Sequence, residues 1–179
     1  GGERSQFACL HGSFSMTSKT LRREIFMSVP QLLSPGWHWQ DLAAGQELVT
    51  HGRTITEYDL MNFITATGMT EVIFTDQTHH GVMPGRVVPG ALTYTLMEGL
   101  LVQGMLQGTG LALLEISQKL LAPVRVGDTI HALVRINEIV PTSRHGRAVV
   151  HSTVSVLNQD GVTVMTYDAK RLLAGRAAV

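Results

Sequence analysis

GALTYTLMEGLLVQGMLQ, residues 90–107, decides how the rest of the chain is read. Apolar residues fall on nearly every face of the helix this segment would form, and Glu98 is its one charge. A surface helix carries a polar face, whereas a helix without one is enclosed by protein on every side. Glu98, Gln103, Gln107 and several glycines argue against lipid as the enclosure, because a lipid-facing helix tolerates such residues badly. The following sequence supplies the enclosure, since its hydrophobic period changes to two. Over residues 128–140, Ile130, Ala132, Val134 and Ile136 alternate with Thr129, His131, Arg135 and Asn137. Over residues 147–157, Val150, Val154 and Val156 share one face. Residues 110–122 and a looser β-rich stretch at 162–173 complete four consecutive strands, broken at Gly127-Asp128, His145-Gly146 and 158–161. An antiparallel sheet curled around one central helix explains a helix with no polar side, and the chain is predicted to be α+β.

N-terminal to that helix, residues 46–52 predict a first strand. Thr56 is a good N-cap, and Glu57 and Asp59 sit favourably in the first turn of a short helix. Leu60, Phe63, Ile64 and Thr67 give that helix an inward face, and Gly68 ends it. Residues 68–89 form a long irregular connection, and ordered loops of that length are usually functional or act as lids. Residues 1–35 read as a loosely ordered lead-in and residues 36–179 as one domain, which 179 residues with 44% hydrophobic content support. No internal repeat or low-complexity segment is visible.

Lys plus Arg number 14 and Asp plus Glu number 14, so the formal net charge is zero. Without a basic run there is no electrostatic footprint for nucleic acid. Cys9 is the single cysteine and cannot form an internal disulfide, which fits a reducing cytosol and an expected cytoplasmic location. Arg22-Arg23 is only faintly like a transit peptide, because Glu24 follows and no apolar run does.

Three segments in order then carry a resemblance. RTITEYD (residues 53–59) precedes the short helix, GRVVPG (85–90) precedes the buried one, and PVRVGDTI (123–130) opens a strand. Together they resemble the MaoC-like (R)-specific hydratases and dehydratases, over roughly residues 39–173. The resemblance implies a hotdog fold and, as substrates, acyl thioesters of coenzyme A or acyl carrier protein. It implies no organic cofactor or metal beyond the carrier on the substrate. It also implies an acyl pocket at the interface of a homodimer or higher oligomer, or of a pair with a second hotdog subunit. Exposed sheet edges favour such pairing on physical grounds as well.

The family's signature, Asp-x-Asn-Pro-x-His, follows its first helix. The Asp and His act together on a water that adds to, or leaves, the double bond beside the thioester carbonyl. A glycine amide at the start of the central helix holds the developing enolate oxygen, helped by the helix dipole. Gly90 matches that glycine, with Pro89 in place of the usual preceding His, and holding an oxyanion requires only the backbone N–H. The stretch ATGMTEVIFTD, residues 66–76, departs from the signature. In it the Asp becomes Met69, the Asn Glu71, the Pro Val72 and the His Phe74. Neither a thioether nor a phenyl ring shuttles a proton near neutral pH.

Glu71 is the sole ionisable group within the aligned signature. It is a candidate displaced general base, its alternative being a solvated loop carboxylate. Met69, Phe74, Arg86 and Ala91 are candidate substrate contacts. Arg86 would meet a phosphate of coenzyme A or anchor the loop through a carboxylate such as Asp76. His79 and His80 could supply an imidazole or two metal ligands. Adjacent histidines point apart and no third ligand is suitably spaced, so loop histidines bonded to backbone are the preferred reading and no metal is expected. Glu98 lies near the place where hotdog thioesterases carry a carboxylate, but not clearly in their register. A buried carboxylate tied by hydrogen bonds at a subunit contact is preferred there. Three functions stay open: a hydratase or dehydratase with atypical acid–base residues, a non-catalytic acyl-thioester-binding subunit partnering an active one, and a thioesterase using Glu98.

Overall fold

The computed structural model describes residues 32, 35–76, 78–79, 85–143 and 146–176. Nearly all of the expected lead-in at residues 1–35 falls outside them, as does His80. A 3-10 turn at Trp39–Asp41 leads into β1 (Glu47–Val49), β2 (Arg53–Thr54), α1 (Glu57–Thr67), α2 (Val72–Thr75), α3 (Gly90–Gln103), β3 (Gly110–Leu120), β4 (Thr129–Pro141), β5 (Ala148–Leu157) and β6 (Thr163–Leu173). Every strand pair is antiparallel, in the order β1-β4-β5-β6-β3, with β2 also on β4. The predicted α+β chain with four consecutive strands after a long helix is therefore observed.

The period-two pattern sets the register. Val134 stands opposite Val154, which stands opposite Tyr167, and all three are buried. Slipping the pairing by one residue would turn these side chains to the other face, so burial of one face fixes the alignment. Met97 and Leu101 of α3 and Leu60 and Ile64 of α1 join the same core.

Helix α3 differs from expectation in two ways. It ends at Gln103, not at residue 107, because Gly104 leaves helical geometry (φ −88°, ψ −92°) while its N–H caps Leu100 O at 3.0 Å. It is also not enclosed on every side within the chain. Leu92, Thr93, Met97 and Leu101 are buried, but Ala91, Thr95 and Val102 form a narrow exposed stripe. A single sheet covers one side of a helix, and its other side is left for something else to cover.

Local chemistry explains the elements around the site. Thr56 and Asp59 form a capping box: Thr56 Oγ1 accepts the Asp59 N–H at 3.2 Å, and Asp59 Oδ2 accepts the Thr56 N–H at 2.9 Å. Burial pushes the Asp59 carboxyl up, but the Thr56 hydrogen bonds and Arg53 outweigh it and hold the carboxyl below its usual range. Gly68 ends α1 at φ 73°, in the left-handed region glycine favours. The connection after it is less irregular than predicted, because Glu71 caps α2 by accepting the Ile73 N–H at 2.8 Å.

Candidate active site

Two of the family-like segments are paired by backbone hydrogen bonds. Val88 N–H donates to Val124 O and Val126 N–H to Arg86 O, both at 2.9 Å, around a bridge between Val87 and Arg125. This clip buries Val87, Val88 and Pro89 and delivers Gly90 as the first residue of α3. In front of Gly90 lies a cavity of about 380 Å³. Ile73 and Phe74 of α2 form one wall, the Leu120–Val124 stretch another, and Val164 and Met165 of β6 close it.

The N–H groups of a helix's first turn have no acceptor inside the helix, and the helix dipole adds positive potential there. Gly90 is the first residue of α3 and lines an apolar chamber. The position is crowded as well, since a Cβ on residue 90 would come within 2.6 Å of Leu120 Cδ1. Any side chain there would displace Leu120 from the wall.

Among the described residues, none that lines this cavity carries a carboxylate, imidazole, ammonium or guanidinium, and Thr93 supplies their one polar side chain. Thr93 is 2% exposed, and its Oγ1 has no hydrogen-bond partner. Sequence reasoning passed over this residue. The available signal was its spacing, since residues i and i+3 of a helix share a face and Thr93 follows Gly90 by three.

The predicted site residues are only partly brought together. Gly90 and Phe74 both line the cavity. Met69 and Ala91 are exposed and lie outside its lining. Glu71 is also exposed and outside the lining, its carboxylate engaged at the start of α2 next to the two wall residues Ile73 and Phe74. Arg86 pairs with Glu57 at 2.6 Å rather than with Asp76. Asp76 instead accepts from Thr78 N and Oγ1, and these hydrogen bonds hold its carboxyl below the usual range. Arg86, Glu57, Asp76 and His79 border a second, more polar cavity of about 350 Å³ that shares Ile73 with the first. Among the described residues no cluster of three metal-ligating side chains occurs, and no helix is long and apolar enough to cross a membrane.

Glu98 sits elsewhere on α3, in a hydrogen-bonded network in which Arg171 Nε is left without a partner. It accepts from Tyr167 Oη at 2.8 Å and is ion-paired to Arg171, whose Nη1 donates to Ser152 Oγ at 3.1 Å. Burial, and then Glu98, push the Tyr167 hydroxyl well above its ordinary range. Tyr94 packs edge-on to Tyr167 with ring centroids 5.4 Å apart. Glu98 is thus part-buried and tied by hydrogen bonds within the chain, and it borders a cavity with Arg171 and Leu111.

Comparison with known proteins places this geometry. Among curated proteins none matches the chain. A MaoC-like dehydratase from Rhodospirillum rubrum is 24% identical, with a TM-score of 0.69 over 80% of this chain and 100% of that one. A monoamine oxidase regulatory protein from Archaeoglobus gives 22% identity and a TM-score of 0.70 over 79% and 97%. An (R)-hydratase from Pseudomonas aeruginosa in its unliganded form gives 21% and 0.66 over 80% and 89%. At these identities the likeness establishes the shared fold, which a mycobacterial neighbour displays as a double hotdog. The family model described as the MaoC like domain matches residues 41–160. On that match the chain belongs to the MaoC-like domain family, in its hotdog fold.

Proposed function

We propose that this domain acts on 2-enoyl or 3-hydroxyacyl thioesters of coenzyme A or acyl carrier protein, as a hydro-lyase of the MaoC type. The observation that carries the reading is the place of Gly90, the first residue of α3, in the lining of an apolar cavity of about 380 Å³. An acyl chain fills the cavity, and the thioester carbonyl oxygen accepts from Gly90. In hydration, water bonds to C3, the C2=C3 π electrons shift toward the carbonyl oxygen, and that oxygen carries the negative charge of the enolate. Donors aimed at this developing charge lower the barrier. A proton then goes to C2, and the attacking water loses one. Glu71, the carboxylate at the head of the helix that forms one wall, is the proposed proton carrier. No organic cofactor or metal takes part.

A second reading rests on a different observation, the absence of any ionisable group from the cavity lining among the described residues. On that reading the chain binds acyl thioesters without turning them over and shapes the tunnel of a catalytically complete hotdog partner. Following crotonyl-coenzyme A by loss of its enoyl absorbance separates the two. Turnover that falls about 10²–10⁴-fold in Glu71→Gln supports the hydro-lyase with Glu71 as proton carrier. Turnover unchanged in that variant removes Glu71 from the mechanism, and tight binding with no turnover selects the binding subunit.

Self-association is part of the proposal. Among the described residues strand β3 pairs only with β6, all eleven of its residues are exposed, and Leu111, Leu113, Leu114, Ile116 and Leu120 are among them. An apolar free edge invites pairing with another sheet, and the uncovered stripe on α3 needs covering too. Light scattering is expected to give twice the 19.5 kDa chain mass or a higher multiple. A folded 19.5 kDa particle at micromolar concentration would overturn this part.

A further inference from the structure

We propose that the Thr93 hydroxyl recognises an oxygen on C3 of the bound acyl chain, making Thr93 the residue that distinguishes 3-hydroxyacyl thioesters from unsubstituted ones. This rests on the reading that a thioester carbonyl sits at the Gly90 amide.

The argument begins with how helical threonines behave. Their hydroxyls ordinarily bond back to the carbonyl four residues earlier. Thr95, in the same helix, donates to Ala91 O at 2.8 Å, and Thr67 of α1 donates to Phe63 O at 2.6 Å. Thr93 does not, and its usual acceptor is already occupied. Pro89 O receives the Leu92 N–H at 2.9 Å and the Thr93 N–H at 3.3 Å. The hydroxyl is thereby left without a partner in a residue 98% removed from solvent, on the wall of an otherwise apolar cavity. A buried unpaired hydroxyl costs stability that an isosteric valine would not. The cost is recovered if a ligand supplies the partner.

Position defines that ligand. Gly90 and Thr93 lie on one face of α3, about 4.5 Å apart along the axis at roughly 1.5 Å rise per residue. Side chains lean toward the helix N-terminus, which brings the hydroxyl back toward the Gly90 amide. Threonine in a helix populates two χ1 rotamers, and the inference requires the one that presents Oγ1 to the chamber. An amide and a hydroxyl set one turn apart match two oxygens in a 1,3 relationship, the thioester carbonyl oxygen and an oxygen on C3. A hydroxyl both donates and accepts, so it serves a C3 hydroxyl or a water poised to attack C3. An unsubstituted chain would leave it unpaired.

The test is calorimetric titration of the full chain with (R)-3-hydroxybutyryl-coenzyme A and with butyryl-coenzyme A, in wild type, Thr93→Val and Thr93→Ser. Wild type should favour the hydroxy ligand by about tenfold, the ordinary worth of one hydrogen bond. Thr93→Val should erase that preference by weakening the hydroxy ligand alone, and Thr93→Ser should keep it. The melting temperature of Thr93→Val should equal or exceed that of wild type, whereas a merely structural hydroxyl would lower it. Should the valine variant not fold, the inference is overturned on that ground, and Thr93→Ala then reports which ligand the cavity prefers without the hydroxyl. Wild type binding both ligands equally, or a valine variant that weakens both alike, overturns the role of Thr93 while leaving the thioester reading intact. Failure of wild type to bind either ligand overturns both.

Discussion

The two halves of helix α3 treat polar groups in opposite ways. At its middle, Glu98, Arg171, Tyr167 and Ser152 form a network joining the helix to β5 and β6. At its start, Thr93 holds a hydroxyl without a partner near Gly90, in a chamber whose described lining carries no ionisable group. Buried polar groups that satisfy one another specify structure. Buried donors left unpaired are the ones available to a ligand. The proposed function lies at the uncharged end, although a search for catalytic carboxylates would go first to Glu98.

The strongest way to break this comparison is to unpair the network. Arg171→Met leaves Glu98 and the Tyr167 hydroxyl without their buried cation, and removing one partner of such a pair costs about 3–5 kcal/mol. Urea denaturation should show that loss, and adding Glu98→Leu should recover part of it, because an apolar replacement of a whole pair is often near neutral. A cost for Arg171→Met below about 1 kcal/mol, the range of an exposed pair, would deny the network its structural role.

At the other end the expected loss is catalytic. Proline is well accepted at the first position of a helix, where its missing N–H has no helical partner. Gly90→Pro therefore deletes the proposed donor while the helix persists, and Gly90→Ala introduces a similar clash with Leu120 but keeps the N–H. The ratio between the two isolates the amide. Proline should turn over about 10²–10³-fold more slowly than alanine, as for the loss of one oxyanion donor. Equal rates would remove Gly90 from the chemistry.

Much of this was legible in the sequence, for identifiable reasons. Periodicity reports which side chains share a buried face, so Ile130, Ala132, Val134 and Ile136 predicted β4 before its register with β5 was known. The Thr56 cap and the Gly68 stop were readable because they depend on neighbours three residues away or on one backbone angle. Partnerships across the chain were not. Arg86 meets Glu57, 29 positions away, instead of Asp76, and the Glu98 pair spans 73 positions. Thr93 stayed hidden because an unsatisfied hydroxyl is defined by partners that are missing, and no local pattern encodes that. The α3 enclosure was overread for a related reason: a pattern of apolar residues does not say which molecule covers them.

The smallest expected effect comes from adding a titratable group to the uncharged end. Restoring the family signature would change Met69 to Asp and Phe74 to His together, but the structure treats the two positions differently. Phe74 lines the cavity, whereas Met69 is 39% exposed and lies outside the lining. An imidazole at residue 74 therefore reaches the chamber, while a carboxylate at residue 69 faces solvent without orienting it. A base and its orienting partner together contribute about 10²–10⁴-fold. A lone imidazole should yield on the order of tenfold at most, and only where its neutral form predominates, above its ordinary pKa of about 6.5. Phe74→His should thus raise crotonyl-coenzyme A hydration modestly, with a rate that increases from about pH 6 to pH 8, and Met69→Asp should add nothing to it. A double variant much faster than Phe74→His alone would show that residue 69 turns inward over a bound thioester. The division of α3 into a charge-paired half and an uncharged half would then have to include the segment that connects α1 to α2.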